Sequence, residues 1–375
     1  MSDAATTRQD AIDRRFMAAA VRLSRRHLGL TGENPSVGSL VVSEIDGAPT
    51  IVGRGVTALG GRPHAELQAL AEAGEAARGA TVYATLEPCS HIGKAPPCAD
   101  AIVASGARRV VIATLDPDIR VAGRGVGILE RAGIEVVVGV EETAARRSMA
   151  GFLTLKGKGR PFVTLKLAVS ADGRIGRAGA GQVSVTGPLA RRAAQIMRVE
   201  HDAVMVGVGT VVEDDPLLTV RLDGLAHRTP LRVVIDPLAR TPASARMFSE
   251  RDCGRVILLS SAKATARAVG RLRDAGATVD TITSDYKGRF EPREIVRHLG
   301  VLGVKSVLLE GGAETARRFL EAELVDRIAL FMSETVVGEG GVSAPLGEDN
   351  IPPDFVRIDD QRFGSDRLVE FERPL

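Results

Sequence analysis

The stretch that decides the reading opens with His64-Ala65-Glu66 and closes with Pro88-Cys89-Ser90-His91-Ile92-Gly93-Lys94-Ala95-Pro96-Pro97-Cys98. One imidazole and two thiolates are three of the four ligands a tetrahedral zinc accepts, and a site with only three protein ligands keeps a position for water. Glu66 follows the histidine too closely to be a comfortable fourth ligand. It is well placed to handle the protons of such a water. The bland alternative is a core histidine, a surface glutamate and two buried cysteines. It is disfavoured because the chain has only three cysteines and two of them fall inside this pattern.

Working outward, the residues around the pattern predict alternating helices and strands. A helix is expected from 10 to 28, capped by Asp10, with Ile12, Phe16, Ala19, Ala20 and Leu23 at helical spacing. Two strand-like runs follow the Asn34-Pro35-Ser36-Val37-Gly38 loop, with Asp46-Gly47 as the turn between them. His64 and Cys98 are each expected at the start of a helix, whose positive end favours a thiolate over a thiol. A strand from Val82 to Leu86 delivers Pro88-Cys89, and strands near 109–114 and 134–140 complete a three-layer α/β domain over residues 1–150. The Gly- and charge-rich run from Gly151 to Pro161 is read as a junction. A second α/β domain over 151–375 follows, with no repeat relating the halves.

Whole-chain numbers narrow the partners. At 375 residues the chain is too long for one ordinary core. Aromatic residues make up 3% and tryptophan is absent, which leaves few rings on which successive bases could stack. With 49 basic against 47 acidic residues there is no overall field for nucleic acid or a membrane surface. Pairs such as Arg25-Arg26, Arg108-Arg109 and Arg191-Arg192 read mostly as solvated faces. Three cysteines argue for a reducing compartment, with Cys253 a bystander. No secretory leader or long apolar run is evident, so a cytoplasmic enzyme with no membrane partner is expected. Strand-rich α/β domains often associate, and a homo-oligomer, dimer or tetramer, is expected.

The order H-x-E…P-C…C is the signature of zinc-dependent nucleobase deaminases, in which the glutamate is the general acid/base. Eight residues separate Cys89 from Cys98 here, against two in the short form of that signature, and the insert carries His91 and Lys94. Together with Asn34-Pro35-Ser36-Val37-Gly38, Thr85-Leu86-Glu87-Pro88-Cys89-Ser90-His91, Asp116-Pro117 and Val121-Ala122-Gly123-Arg124-Gly125, the chain closely resembles the bifunctional riboflavin-biosynthesis deaminase/reductases along its whole length. The resemblance implies a cytidine-deaminase-like first domain acting on 2,5-diamino-6-ribosylamino-4(3H)-pyrimidinone 5′-phosphate. It makes His64, Cys89 and Cys98 the zinc ligands and Glu66 the catalytic residue. Asn34, His91, Lys94, Asp116 and Asp118 become the substrate contacts. Two positions depart from the family: Thr57 stands where a histidine is frequent, and Asp118 where asparagine is usual.

In the second half, Gly207-Val208-Gly209 is a lone G-x-G and reads as a turn after a strand. Val307-Leu308-Leu309-Glu310-Gly311-Gly312-Ala313 reads as a strand ending in paired glycines before a helix, where free N–H groups can receive a phosphate. The Asp214-to-Arg221 loop is as readily a salt-bridged loop as a binding one. The resemblance implies a dihydrofolate-reductase-like fold with NADPH as hydride donor. It assigns NADPH to Ala168, Ser184, Thr210, Asp214 and Gly312, Ala313, Glu314, Thr315, Ala316, Arg317 and Arg318. The phosphorylated pyrimidine falls to Lys166, Gln182, Arg198, Leu218, Arg221 and Glu310. Relatives often carry Ser-Gln-Trp-Ile-Thr where this chain reads Gln182-Val183-Ser184-Val185-Thr186, which removes an aromatic wall and replaces a phosphate-contacting serine. The competing reading is a nucleoside or tRNA deaminase with an unrelated accessory domain.

Overall fold

A computed structural model describes residues 3–90, 96–118, 122–249 and 254–374. The chain divides into two compact units, Met1–Lys158 and Gly159–Leu375.

In the first unit, strands β1 (Gly38–Ile45), β2 (Ala48–Val56), β3 (Thr81–Ala84), β4 (Arg109–Ile112) and β5 (Glu135–Val138) form one sheet in the order β2-β1-β3-β4-β5. β1 is antiparallel to β2 and β3, while β3, β4 and β5 run parallel. Period-two alternation sorts the side chains onto two faces. Leu40, Val42, Tyr83 and Val111 pack with helices α1 (Asp3–Ser24), α5 (Glu142–Ser148) and α6 (Ala150–Lys158). Val41, Val82, Val110 and Ile112 pack with α2 (Ala65–Ala73), α3 (Cys98–Ala104) and α4 (Arg124–Arg131). This is the expected three-layer arrangement.

Local boundaries differ from the sequence expectation where burial overrides composition. α1 begins at Asp3, so Asp10 lies inside it and caps nothing, and its end passes into a single 3₁₀ turn, Arg25–His27. Most of the Gly- and charge-rich run after residue 150 is helical, because Phe152 and Leu153 bury in the first unit's core. Arg109 is no solvated cation: it is 7% exposed, and its guanidinium donates to both oxygens of Asp13 on α1 at 2.8 and 2.9 Å. The Tyr83 hydroxyl donates to Asp13 at 2.8 Å, and Arg109 Nε reaches Glu135 at 2.8 Å.

The second unit carries a nine-stranded sheet. Its order is β11 (Thr278–Thr281), β10 (Val256–Ser260), β9 (Leu231–Ile235), β8 (Ala203–Gly207), β12 (Ser306–Glu310), β6 (Phe162–Val169), β13 (Arg327–Met332), β16 (Asp366–Glu372) and β15 (Val356–Phe363). All neighbours are parallel except β13/β16 and β16/β15. A two-stranded ribbon, β7 (Arg174–Arg177) with β14 (Gly341–Ser343), stands apart from this sheet. Helices α7 (Pro188–Glu200), α8 (Val208–Asp214), α9 (Ala266–Asp274), α10 (Pro292–Val301) and α11 (Ala313–Glu321) cover it. Val163, Leu165 and Leu167 of β6 join the core containing α10 and α11 residues, so alternation turns Thr164, Lys166 and Ala168 to the opposite face, where Ala168 packs in the cluster containing Ala190 of α7. Among the described residues no helix is long and apolar enough to cross a membrane.

Burial pushes the Asp13 carboxyl up, but Arg109 and Tyr83 outweigh it and hold it below the ordinary range. Its contribution to stability is therefore complete above about pH 4 and is lost as pH falls through the lowered value. Asp13→Asn should destabilise the first unit by roughly 3 kcal/mol, because it strands a buried guanidinium. Denaturant unfolding followed across the acid range should show the variant losing less further stability than the wild type below about pH 4.

Candidate active sites

The sequence places His64 and Cys98 far apart in the chain, and the fold brings them together through α2 and α3. His64 is the N-cap of α2, Cys98 opens α3, and Cys89 sits on the connection between β3 and α3. His64 Nδ1 lies 3.6 Å from Cys89 Sγ and 3.4 Å from Cys98 Sγ, and the three ligand atoms all fall within 4.8 Å of one another. A tetrahedral zinc with ordinary Zn–N and Zn–S bonds sets nitrogen and sulfur about 3.5 Å apart. The donor set and its spacing therefore fit zinc. The Cys98 backbone N–H also donates to Cys89 Sγ at 3.3 Å.

Glu66 sits in the first turn of α2 and is 4% exposed. Burial pushes its carboxyl up to about 7, into the range where a carboxyl both takes and gives protons near neutrality. The Cys89 thiol is pulled down to about 4, chiefly by its hydrogen bond with Cys98 and also by His64, while Cys98 is pushed up.

Other predicted deaminase residues take defined places in the same unit. The Asn34 side chain abuts Gly61, on the loop leading to His64, so closely that a Cβ at Gly61 would lie 2.3 Å from Asn34 Nδ2. Asp116 is pushed up by burial, and its Oδ1 accepts the Asp118 N–H at 2.9 Å in a tight turn. His91 and Lys94 lie outside the described residues, as does Cys253. Thr57, where relatives often have histidine, accepts the Val37 N–H through its hydroxyl at 2.9 Å, and its carbonyl meets His27 Nδ1 at 2.7 Å. An imidazole thus reaches this segment from the turn after α1. Neither His27 nor Glu87, whose buried carboxylate receives several backbone N–H groups, was singled out from the sequence. Glu87 stood in the quoted motif without a role.

In the second unit a cavity of about 250 Å³ opens at the carboxyl ends of β6, β8 and β12. Ligands of open parallel sheets bind in this location. Lys166, Ala168, Gln182, Ser184, Arg198, Thr210, Asp214, Leu218, Arg221, Glu310 and Gly312 all line it. Arg198 grips Glu310 through Nε and Nη2 at 2.6 and 2.9 Å and donates Nη1 to the Thr219 carbonyl at 2.8 Å. Burial raises Glu310, but Arg198 first and Lys166 after it outweigh that and hold it at about 2. Lys166 itself is lowered by burial, and its ammonium lies 5.6 Å from the centre of the Phe331 ring.

Where β12 passes into α11, the Gly312 N–H donates to Thr210 Oγ1 at 3.1 Å, and a Cβ at Gly207 would lie 2.6 Å from Thr315 Oγ1. The turn from β12 into α11 is thus packed closely against the end of β8. Beyond Gly312 the helix residues diverge. Ala316 is fully buried in the core, Arg317 pairs with Glu314 and Glu321 on the exposed side, and Arg318 donates to the Phe290 carbonyl. Gln195 and Phe331 also line the cavity and were missed, since only the fold turns them inward.

Both halves of the chain are similar to known proteins. Residues 10–114 match the cytidine and deoxycytidylate deaminase zinc-binding region, and residues 161–364 match the RibD C-terminal domain. The riboflavin biosynthesis protein RibD of Aquifex aeolicus is 38% identical over 366 residues, covering 96% of this chain and 99% of that protein. The Escherichia coli protein of the same name is 37% identical, covering 87% of this chain and 89% of its own. Among solved structures, a diaminohydroxyphosphoribosylaminopyrimidine deaminase/5-amino-6-(5-phosphoribosylamino)uracil reductase from Thermotoga maritima matches with a TM-score of 0.83 at 35% identity, covering 98% of this chain and 100% of that one. Acinetobacter baumannii RibD matches with a TM-score of 0.81 at 33% identity, covering 97% of this chain and 99% of its own. Because both halves match in order and over nearly their full length, the chain belongs to the RibD family of bifunctional riboflavin-biosynthesis enzymes, with a zinc-binding deaminase domain followed by an NADPH-dependent reductase domain.

Proposed function

We propose that the first unit deaminates 2,5-diamino-6-ribosylamino-4(3H)-pyrimidinone 5′-phosphate and that the second reduces the ribosyl group of the product to ribityl, giving 5-amino-6-(5-phosphoribitylamino)uracil. The observation that carries the first half is the buried Glu66 carboxyl on the same helix start as His64, opposite Cys89 and Cys98. His64, Cys89 and Cys98 would hold a zinc ion, which would supply Lewis acidity for activating a water near neutral pH. Glu66 takes a proton on its carboxylate oxygen as attack on the ring carbon begins, and returns it to the departing amine, which leaves as ammonia. Burial favours the protonated form of that carboxyl, which helps it keep the proton between the two transfers. Asn34 and the Asp116–Asp118 turn hold the pyrimidine and ribose.

In the second unit, NADPH bound in this cavity would supply the hydride for C1′ of the ring-opened ribose. Thr210, Asp214 and the Gly312 turn seat the dinucleotide, while Lys166, Arg221 and the Arg198–Glu310 pair receive the phosphorylated substrate. Glu310 stays charged at every working pH, so Arg198 is a fixed element of the wall. Lys166 and Arg221 supply further positive charge for a 5′-phosphate. The near-balanced charge and scarcity of aromatic rings support a free small molecule over a polynucleotide, and three cysteines support a reducing, cytoplasmic setting.

Incubation of the zinc-loaded protein with the diaminopyrimidinone phosphate and NADPH should release ammonia and then consume NADPH; absence of ammonia would sink the reading. Glu66→Gln should lower ammonia release by about 10²–10⁴-fold while metal analysis still finds bound zinc. Cys89→Ala should lose both zinc and ammonia release, yet oxidise NADPH normally when given the deaminated intermediate. Arg221→Ala should raise the reductase KM for the phosphorylated substrate by about tenfold to a hundredfold through loss of a charge-assisted hydrogen bond, a shift that steady-state kinetics on the intermediate would detect.

A further inference from the structure

Glu87 stands two residues before Cys89 and is 3% exposed. Its carboxylate accepts four backbone N–H groups. Oε2 takes Gly123 at 3.0 Å and Asp116 at 3.3 Å, and Oε1 takes Gly125 at 2.9 Å and Val126 at 3.3 Å. Its own backbone N–H donates to the Thr114 carbonyl at 3.0 Å. One oxygen therefore bridges the two ends of the Asp116–Gly123 loop, and the other caps the first turn of α4, where a negative charge is favoured.

The fit is tight. Gly123 occupies the left-handed region at φ 75°, and a Cβ on Gly125 would lie 2.1 Å from the Pro88 carbonyl oxygen. The first turn of α4 is thus pressed against the strand connection that delivers Cys89. A neutral side chain in this place could not satisfy four donors at once, since an amide has one acceptor oxygen and presents its own N–H groups from the other atom.

We infer that Glu87 is a positioning residue of the deaminase, clamping the Asp116 and Gly123 backbones in register with the Cys89 segment so that the Asp116–Asp118 turn meets the pyrimidine. This rests on the reading that Asp116 contacts substrate. Glu87 touches neither substrate nor metal and acts through the loop.

The test is Glu87→Gln in the full chain, loaded with zinc and assayed on the diaminopyrimidinone phosphate. Zinc content should stay at the wild-type level, and the deaminase KM should rise by about tenfold with kcat held within about threefold, as expected when charge-assisted bonds to a loop are lost. In the Asp116→Ala background the same change should raise KM no further, because both act through one loop. An unchanged KM, or loss of zinc and kcat at constant KM, would overturn the clamp by showing that Glu87 does nothing or only supports Cys89. If Asp116→Ala alone leaves KM unchanged while Glu87→Gln raises it, the Asp116 contact is wrong and the clamp stands. Should the glutamine variant not fold, amide exchange of the wild type decides: the Gly123 and Gly125 amides should exchange at least about a hundredfold more slowly than exposed loop amides. Unprotected exchange there would refute the inference.

Discussion

The deaminase depends first on how closely helix α2 lies on strand β2. At Gly53 a Cβ would fall 2.1 Å from the Ala69 carbonyl oxygen, and at Gly55 only 1.9 Å from that of Ala65. The helix backbone rests on a strand face stripped of side chains. Since His64 caps this helix and Glu66 lies in its first turn, the helix position sets the imidazole against two thiols carried by other elements. A methyl group at either glycine would displace the helix by more than the few tenths of an ångström a metal site tolerates.

Three buried carboxylates then show how surroundings assign roles to one chemical group. Glu66 is buried, and burial pushes it up to about 7, which suits a proton carrier. Glu310 lines the cavity and is less enclosed, and Arg198 grips it and holds it at about 2, a permanent anion in the reductase wall. Glu87 is satisfied by backbone N–H groups. The three differ in what compensates the burial, so one can move a proton, one can hold charge, and one can hold backbone.

The reductase cavity follows from sheet order. β12 enters between β8 and β6, so strand ends from distant parts of the chain meet at one crevice. That insertion puts Lys166, Thr210 and Glu310 around a single space and lets α7 contribute Arg198 and Gln195 from the side. Ser184 and Gln182 stand on this wall, with Phe331 supplying a ring beneath Lys166.

The sequence by itself determined the deaminase chemistry, because zinc ligation demands particular side chains and His64, Glu66, Cys89 and Cys98 announce themselves by type and order. It also determined the alternation of helices and strands, since apolar periodicity is a local property. It misjudged the start of α1 and the helical run after residue 150, where tertiary burial of Phe152 and Leu153 overrides a glycine- and charge-rich composition. Only the tertiary structure decided which polar groups are enclosed and what faces them. Glu87 reads as one acidic residue in a motif until four backbone N–H groups close on it. Gln195 and Phe331 read as ordinary helix and strand residues until the sheet order turns them into a cavity. Burial and hydrogen-bond partnership are sums over distant segments, and no local pattern carries them.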